Sequence, residues 1–247
     1  MDWQAPAIVL ATRPFAESDM LATVFSESQG VFRGLAHGGA SRRHAALWQP
    51  GNLLQARWVA RLSDQLGSLT GELVHPAAAL ALEDALALAM LSSCCAVAEG
   101  ALPDRQAHPR VFAGLVRLIT RLSQPEAALP ELVRWEAGLL GDLGYGLDLA
   151  RCGVTGAADG LAYVSPRTGR AVSAAAAGTW APRLLVLPAF LVGDAAAEAA
   201  DWRDGLRLTG HFLARDAFGQ HHRPLPPARV RLLERVEAIA AAGAFSI

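Results

Sequence analysis

Lysine is absent from this 247-residue chain; apart from seven histidines, every one of its 22 basic side chains is arginine. That excludes any phosphate-binding loop ending in lysine, and the bias is what a GC-rich genome produces. Cysteine is scarce: three residues, two of them the neighbours Cys94 and Cys95, which would strain to pair with each other. A disulfide framework is not expected, and a reducing cytoplasm is the natural compartment. Long apolar runs are missing too. Ala85–Ala98, interrupted by Ser92 and Ser93, spans 14 residues, short of the ~20 a membrane helix needs, so it reads as a buried helix. No basic segment followed by an apolar stretch opens the chain, so no secretory signal is expected. A net charge of −1 excludes a globally basic polymer binder, and any nucleic-acid site must be a local patch. Aromatics make up only 6% against 52% hydrophobic residues, so much of the core must be small-residue helix packing.

What is present divides in two. The first 75 residues read as short strands at Ala7–Thr12, Met20–Ser26, Val31–Ala36, Asn52–Ala60 and Ser68–Val74, separated by turn material such as His37-Gly38-Gly39-Ala40-Ser41. Five strands with one long glycine-rich connection suggest a small closed barrel, an OB-fold first and an SH3-like barrel as the alternative. After His75-Pro76 the pattern becomes helical, with helices expected over Ala77–Glu99, Pro109–Ser123, Pro130–Leu143, Ala195–Phe218 and Pro227–Ala242. Residues 144–178 break it with glycine-rich turns and a β-like piece, Leu161–Ser165. The expected organisation is a barrel over 1–76, then a mainly helical domain over 77–247 with an insert at about 144–178.

No enzyme site emerges. There is no G-x-S-x-G elbow and no H-E-x-x-H, and the glycines Gly141, Gly144 and Gly146 are in the wrong order for a dinucleotide fingerprint. His221 and His222 are adjacent and read as loop. Glu83-Asp84 sits at a helix start, where acids favour the dipole. What remains is local positive charge. His37, Arg42, Arg43 and His44 occupy a flexible loop after the third strand, and Arg13, Arg33, Arg57 and Arg61 lie in the same 75 residues. Six acids there (Asp2, Glu17, Asp19, Glu27, Asp64, Glu72) match the six arginines, so a patch requires spatial segregation. Phe15, Phe25, Phe32, Trp48 and Trp58 are candidate stacking platforms for unpaired bases, though three of the five are expected in the barrel core. A second basic region, Arg203–Arg235, carries seven arginines against three acids; a solvated helix surface accounts for it equally well.

Ala7–Leu21, Phe25-Ser-Glu-Ser-Gln-Gly30, Val31–Gly39 and Leu47-Trp-Gln-Pro-Gly51 together resemble the opening of the RecO family of bacterial recombination mediators. Leu143-Gly-Tyr-Gly-Leu-Asp148, Cys152 and Leu161–Pro166 through Gly169 are similar to its second signature, and the resemblance covers essentially the whole chain. It implies an N-terminal OB-fold, a helical C-terminal domain and no enzymatic turnover. It further implies binding to single- and double-stranded DNA and annealing of complementary strands. Implied partners are RecR, the acidic tail of the single-stranded-DNA-binding protein, and, in function, RecA and RecF; the implied location is cytoplasmic, with the nucleoid. By position Arg13, Arg33, Arg42 and Arg43 take the DNA-facing role, with His37, Arg57 and Arg61 as further contacts; Arg117 and Arg121 are assigned to the acidic tail. Many relatives carry two C-x-x-C pairs holding zinc in the insert. Here these become Cys152-Gly-Val-Thr155 and Ser173-Ala-Ala-Ala176, and one soft ligand of four cannot hold tetrahedral zinc. No metal or other cofactor is expected, with Leu161, Tyr163 and Val172 packing in its place and Cys152 a small buried hydrophobe. The rival reading is a protein-interaction adaptor whose DNA affinity is incidental; an enzyme with an unrecognised site is the remaining alternative.

Overall fold

The computed structural model describes residues 1–42, 44–62, 65–193 and 195–244. It divides into two compact units, Met1–Pro125 and Glu126–Ile247.

In the first unit, β1 (Asp2–Phe15), β2 (Asp19–Ser26), β3 (Gly30–Ala36), β4 (Leu53–Val59) and β5 (Gly67–His75) close into a barrel in the order β1-β2-β3-β5-β4. The β3–β5 contact is parallel, at Gly34↔Gly67 and Leu35↔Ser68, and every other pairing is antiparallel. That order, closed by a parallel β3–β5 contact, is the OB-fold arrangement and not that of an SH3-like barrel. β1 is long because it serves two partners: Asp2–Ile8 pairs with β4 and Ala7–Phe15 with β2, and a bulge between Val9 and Ala11 bends the strand between them. The interior is filled by small and large residues in alternation. Ala7, Val9, Ala22, Val24, Ala36, Leu54 and Ala56 surround Trp58 and Trp48, and the Trp58 indole N–H donates to the Arg33 carbonyl at 3.1 Å.

Helices cover one outer wall. α1 (Ala77–Ala81) is separated from α2 (Ala85–Ala101) by Leu82–Asp84, where the expected single helix breaks. The Asp84 carboxylate accepts the amides of Leu86 and Ala87 at 2.6 and 2.9 Å and so starts α2 afresh. Ile8 and Phe25 lie opposite each other on the outer face, both fully buried, and Phe25 meets Phe112 of α3 (Pro109–Thr120) edge to face, with ring centroids 5.5 Å apart. Between α2 and α3 the chain runs along the free edge of β3: Asp104 bridges Val31, and the Arg105 amide donates to the Val31 carbonyl at 2.9 Å. Gly30, at φ +76°, permits this approach, since a Cβ there would come within 2.1 Å of the Gln106 carbonyl oxygen.

The second unit is helical: α4 (Pro125–Asp142), α6 (Ala199–Phe212) and α7 (Pro227–Ala244), with the insert between α4 and α6. α4 starts five residues before the expected position and contains Pro130 in its second turn. The insert forms a three-stranded sheet, ordered β7-β6-β8, from β6 (Leu161–Val164), β7 (Ala171–Ser173) and β8 (Leu185–Val186), with the short helix α5 (Ala174–Ala177). Cys152, Val172 and Ala177 form its core, with Leu161 and Tyr163 packed against them as expected. Among the described residues, no helix is long and apolar enough to cross a membrane.

Candidate nucleic-acid interface

The alternation of β2, whose Ala22 and Val24 point inward, turns Leu21 and Thr23 outward. Arg13 on β1 is paired across from Leu21, and Arg33 on β3 from Thr23. Both arginines therefore lie on the outer face of the three-stranded wall β1-β2-β3, roughly two strand spacings (~10 Å) apart across it. Arg13 is exposed, with Glu99 of α2 at 3.9 Å; Arg33 makes a close ion pair with Asp104. His37 closes the end of β3. Its Nδ1 lies 3.0 Å from Asp19 Oδ2, its Nε2 3.4 Å from the Ser68 hydroxyl, and the next amide, Gly38 N–H, donates to Asp19 Oδ1 at 2.8 Å. The Gly38 amide, with His37 assisting against partial burial, holds the Asp19 carboxyl below the usual carboxylate range. Asp19 thus fastens the start of the β3–β4 loop to the β1–β2 hairpin, and the Ala40 amide donating to Ser18 at 2.9 Å reinforces it.

Arg42 stands exposed on that loop with no ion pair among the described residues; Arg43 lies outside them. Arg61 is exposed just beyond β4. Arg57 is set apart: it projects from β4 between Gln4 and Thr70, away from the β2–β3 face, and pairs with Asp2 at 2.9 Å. The fold therefore brings Arg13, Arg33, His37 and Arg42 to one wall and its adjoining loop, and leaves Arg57 elsewhere. Of the five candidate stacking rings, Phe25, Trp48 and Trp58 are buried, Phe32 is half-buried, and Phe15 on the β1–β2 hairpin is 49% exposed. Arg105, beyond the barrel in sequence and not singled out there, is brought beside the barrel, where its guanidinium lies over the Phe32 ring at 5.3 Å. Only the pairing of its segment to the β3 edge reveals it.

On α3, Val111, Phe112, Leu115, Leu118 and Ile119 are buried, while Arg110 and Arg117, with Arg121 just past the helix end, share the opposite, exposed side. The second basic run is mostly neutralised. Arg203 pairs with Asp204, Arg207 with Glu237 and Arg215 with Asp216, at 2.7–2.8 Å, and the hydrogen bonds that Arg203 and Arg215 donate to Asp204 and Asp216 raise their own pKa. Arg229 is buried outright. It donates to both carboxylate oxygens of the buried Glu136, at 2.5 and 3.0 Å, and to the Leu206 carbonyl at 2.7 Å.

The insert's donor set does not fit zinc. Among the described residues no three of His, Cys, Asp and Glu gather to hold a metal. The Cys152 sulfur is instead satisfied by hydrogen bonds, including the Ser173 amide at 3.3 Å. The Thr155 hydroxyl first, then the amides of Ser173 and Thr155, outweigh burial and draw its thiol down to about 6.

Comparison with known proteins matches residues 1–77 to the family model "Recombination protein O N terminal" and 82–242 to "Recombination protein O C terminal". The chain is 62% identical over 242 residues to the DNA repair protein RecO of Granulibacter bethesdensis, covering 97% of each chain. It is 60% identical over 240 residues to that of Acidiphilium cryptum, covering 96% of each. With the corresponding protein of Gluconacetobacter diazotrophicus the identity is 57% over 245 residues, covering 97% of this chain and 96% of the relative.

Proposed function

The chain belongs to the RecO family of bacterial DNA repair proteins, and from that premise we propose that it is a recombination mediator without catalytic turnover. It binds single- and double-stranded DNA through its barrel and anneals complementary strands. It also helps load RecA onto DNA coated by the single-stranded-DNA-binding protein, in the pathway of RecF and RecR. The observation that carries this reading is the hairpin end of the β1-β2-β3 wall, beyond the part that helices cover at Ile8 and Phe25, where Arg13 and Arg33 lie beside a tethered loop presenting Arg42. Strands 2 and 3 and the loops around them are the surface an OB-fold offers to an extended polymer. Phosphates of two strands neutralised there repel each other less, so complementary bases meet; among the described residues no element resembles a sequence-reading helix, and annealing requires none.

The functional boundary we propose falls near residue 76, with DNA on 1–76 and partner docking on 77–247. In that second part Arg117 and Arg121 receive the acidic tail of the single-strand binder, an arginine being suited to a carboxylate. RecR is a further partner, and the working location is the cytoplasm, at the nucleoid.

Fluorescence anisotropy of a labelled single strand, titrated with salt, tests the reading. The wild type is expected to weaken with a log–log slope of about −0.7 per phosphate contacted, and the Arg42→Ala/Arg43→Ala variant to show a shallower slope. A steep slope unchanged by the substitutions moves the contact off the loop. Absence of binding at low salt favours the second reading, a protein-interaction adaptor. That alternative is supported by the acids already seated on Arg33 and Arg57, and by exposed Phe15, Leu62 and Leu66 on the loops.

A further inference from the structure

Of the six tryptophans one is open to solvent: Trp180, 61% exposed, in the short 3-10 helix Gly178–Arg183 of the insert. Its ring forms one wall of a cleft of about 400 Å³. Val172, Ala177 and Leu184 make the apolar floor, and Ser165, Thr168 and Arg170 the polar rim. The Arg183 guanidinium lies over the Trp180 ring, 5.3 Å from its centroid. Arg170 uses its Nε for Asp148, at 3.2 Å, and that bond does not engage its two terminal nitrogens. The Ser165 and Thr168 oxygens accept amides of their own turn, at 3.3 and 3.4 Å, which leaves their O–H groups to donate. Between Asp148 and Val186 four arginines (151, 167, 170, 183) face two acids, Asp148 and Asp159. The insert is thus positively charged within a chain of net charge −1.

A large aromatic is normally buried, and leaving one in water beside an apolar floor marks a surface that something flat and apolar covers. The surrounding charge requires that the occupant be anionic. A nucleotide in a single strand meets both conditions, with a ring to stack and a phosphate on either side. A duplex does not, because its bases are already stacked inside. We propose that this cleft is a contact for single-stranded nucleic acid separate from the barrel, with one base stacked on Trp180 and the flanking phosphates on Arg170 and Arg183. The inference rests on the DNA-binding reading above and adds a site to it. An annealing protein with two separate single-strand contacts can hold two strands, or one strand at two points.

The test uses the full chain with a labelled oligothymidine and with a duplex of equal length, comparing wild type, Trp180→Ala, Trp180→Phe and Arg183→Ala. Trp180 is exposed, so its replacement leaves the fold intact, which the melting curve checks. Trp180→Ala is expected to weaken single-strand binding about ten-fold, roughly the loss of one base–aromatic stack, and to leave duplex binding unchanged. Trp180→Phe should retain most of the affinity, and Arg183→Ala should flatten the single-strand salt dependence. An oligonucleotide carrying iodouracil should photo-crosslink to Trp180. Wild-type binding that is lost in barrel variants but unaffected by Trp180→Ala, with no crosslink in the insert, overturns this inference and leaves the barrel reading standing. No DNA binding by the wild type overturns both. An acidic peptide whose binding depends on Trp180, while DNA binding does not, overturns the assignment to nucleic acid.

Discussion

Arg229 and Glu136 are 93 residues apart in sequence and fully buried against each other, with the Thr209 hydroxyl donating to the same carboxylate at 2.5 Å. Removing one partner strands the other charge in an apolar interior. Arg229→Ala or Glu136→Ala is therefore expected to lower stability by about 3–5 kcal/mol in urea unfolding, and Arg229→Met with Glu136→Leu to recover most of it. In the sequence Arg229 is indistinguishable from Arg231 and Arg235, which are exposed, because its acceptors come from two other helices. Asp19 shows the same dependence at the surface. Its pKa is lowered in the folded state, so its contribution to stability is present above its unfolded pKa of about 3.9 and is lost as pH falls through the lower folded value. The Asp19→Asn variant is accordingly expected to differ from wild type in melting temperature at neutral pH and to converge with it in acid.

Helices and strands were largely legible, because the apolar period and the turn residues are local signals. The exceptions have local causes as well. Asp84 caps α2, as a helix start at Glu83-Asp84 requires, but the alanine- and leucine-rich stretch on either side conceals that the preceding turn is a separate helix ending at Leu82; Asp84→Ala should cost about 1 kcal/mol of stability, read from denaturant midpoints. Pro130 marks a helix start only if it occupies the first turn, and here the chain had already begun to coil at Pro125. In the insert, the loss of three of the four cysteine positions pointed to packing in place of a metal. The cluster of Cys152, Val172 and Ala177 with Leu161 and Tyr163 supplies that packing. Incubation with a strong chelator should leave the melting curve unchanged, whereas Cys152→Ala, which removes the acceptor of the Ser173 amide, should lower it.

Over the whole molecule the question is where 22 arginines and 23 acids fall. The run Arg203–Arg235 looks like a basic surface until folding pairs Arg207 with Glu237 and buries Arg229 on Glu136. Arg207→Ala should therefore leave the salt slope for DNA unchanged, in contrast to Arg42→Ala/Arg43→Ala, and should change stability by no more than about 1 kcal/mol, as exposed pairs do. The five strands, the helical succession, the turn-rich insert and the family were all readable from residue order, since periodicity, turn chemistry and motif spacing act between near neighbours. The wall on which Arg13 and Arg33 meet, the arginines already held by acids, the addition of Arg105 at the β3 edge and the exposure of Trp180 came only with the folded chain. Charge pairing and solvent exposure depend on residues tens of positions away, and no local pattern records which of them will be brought together.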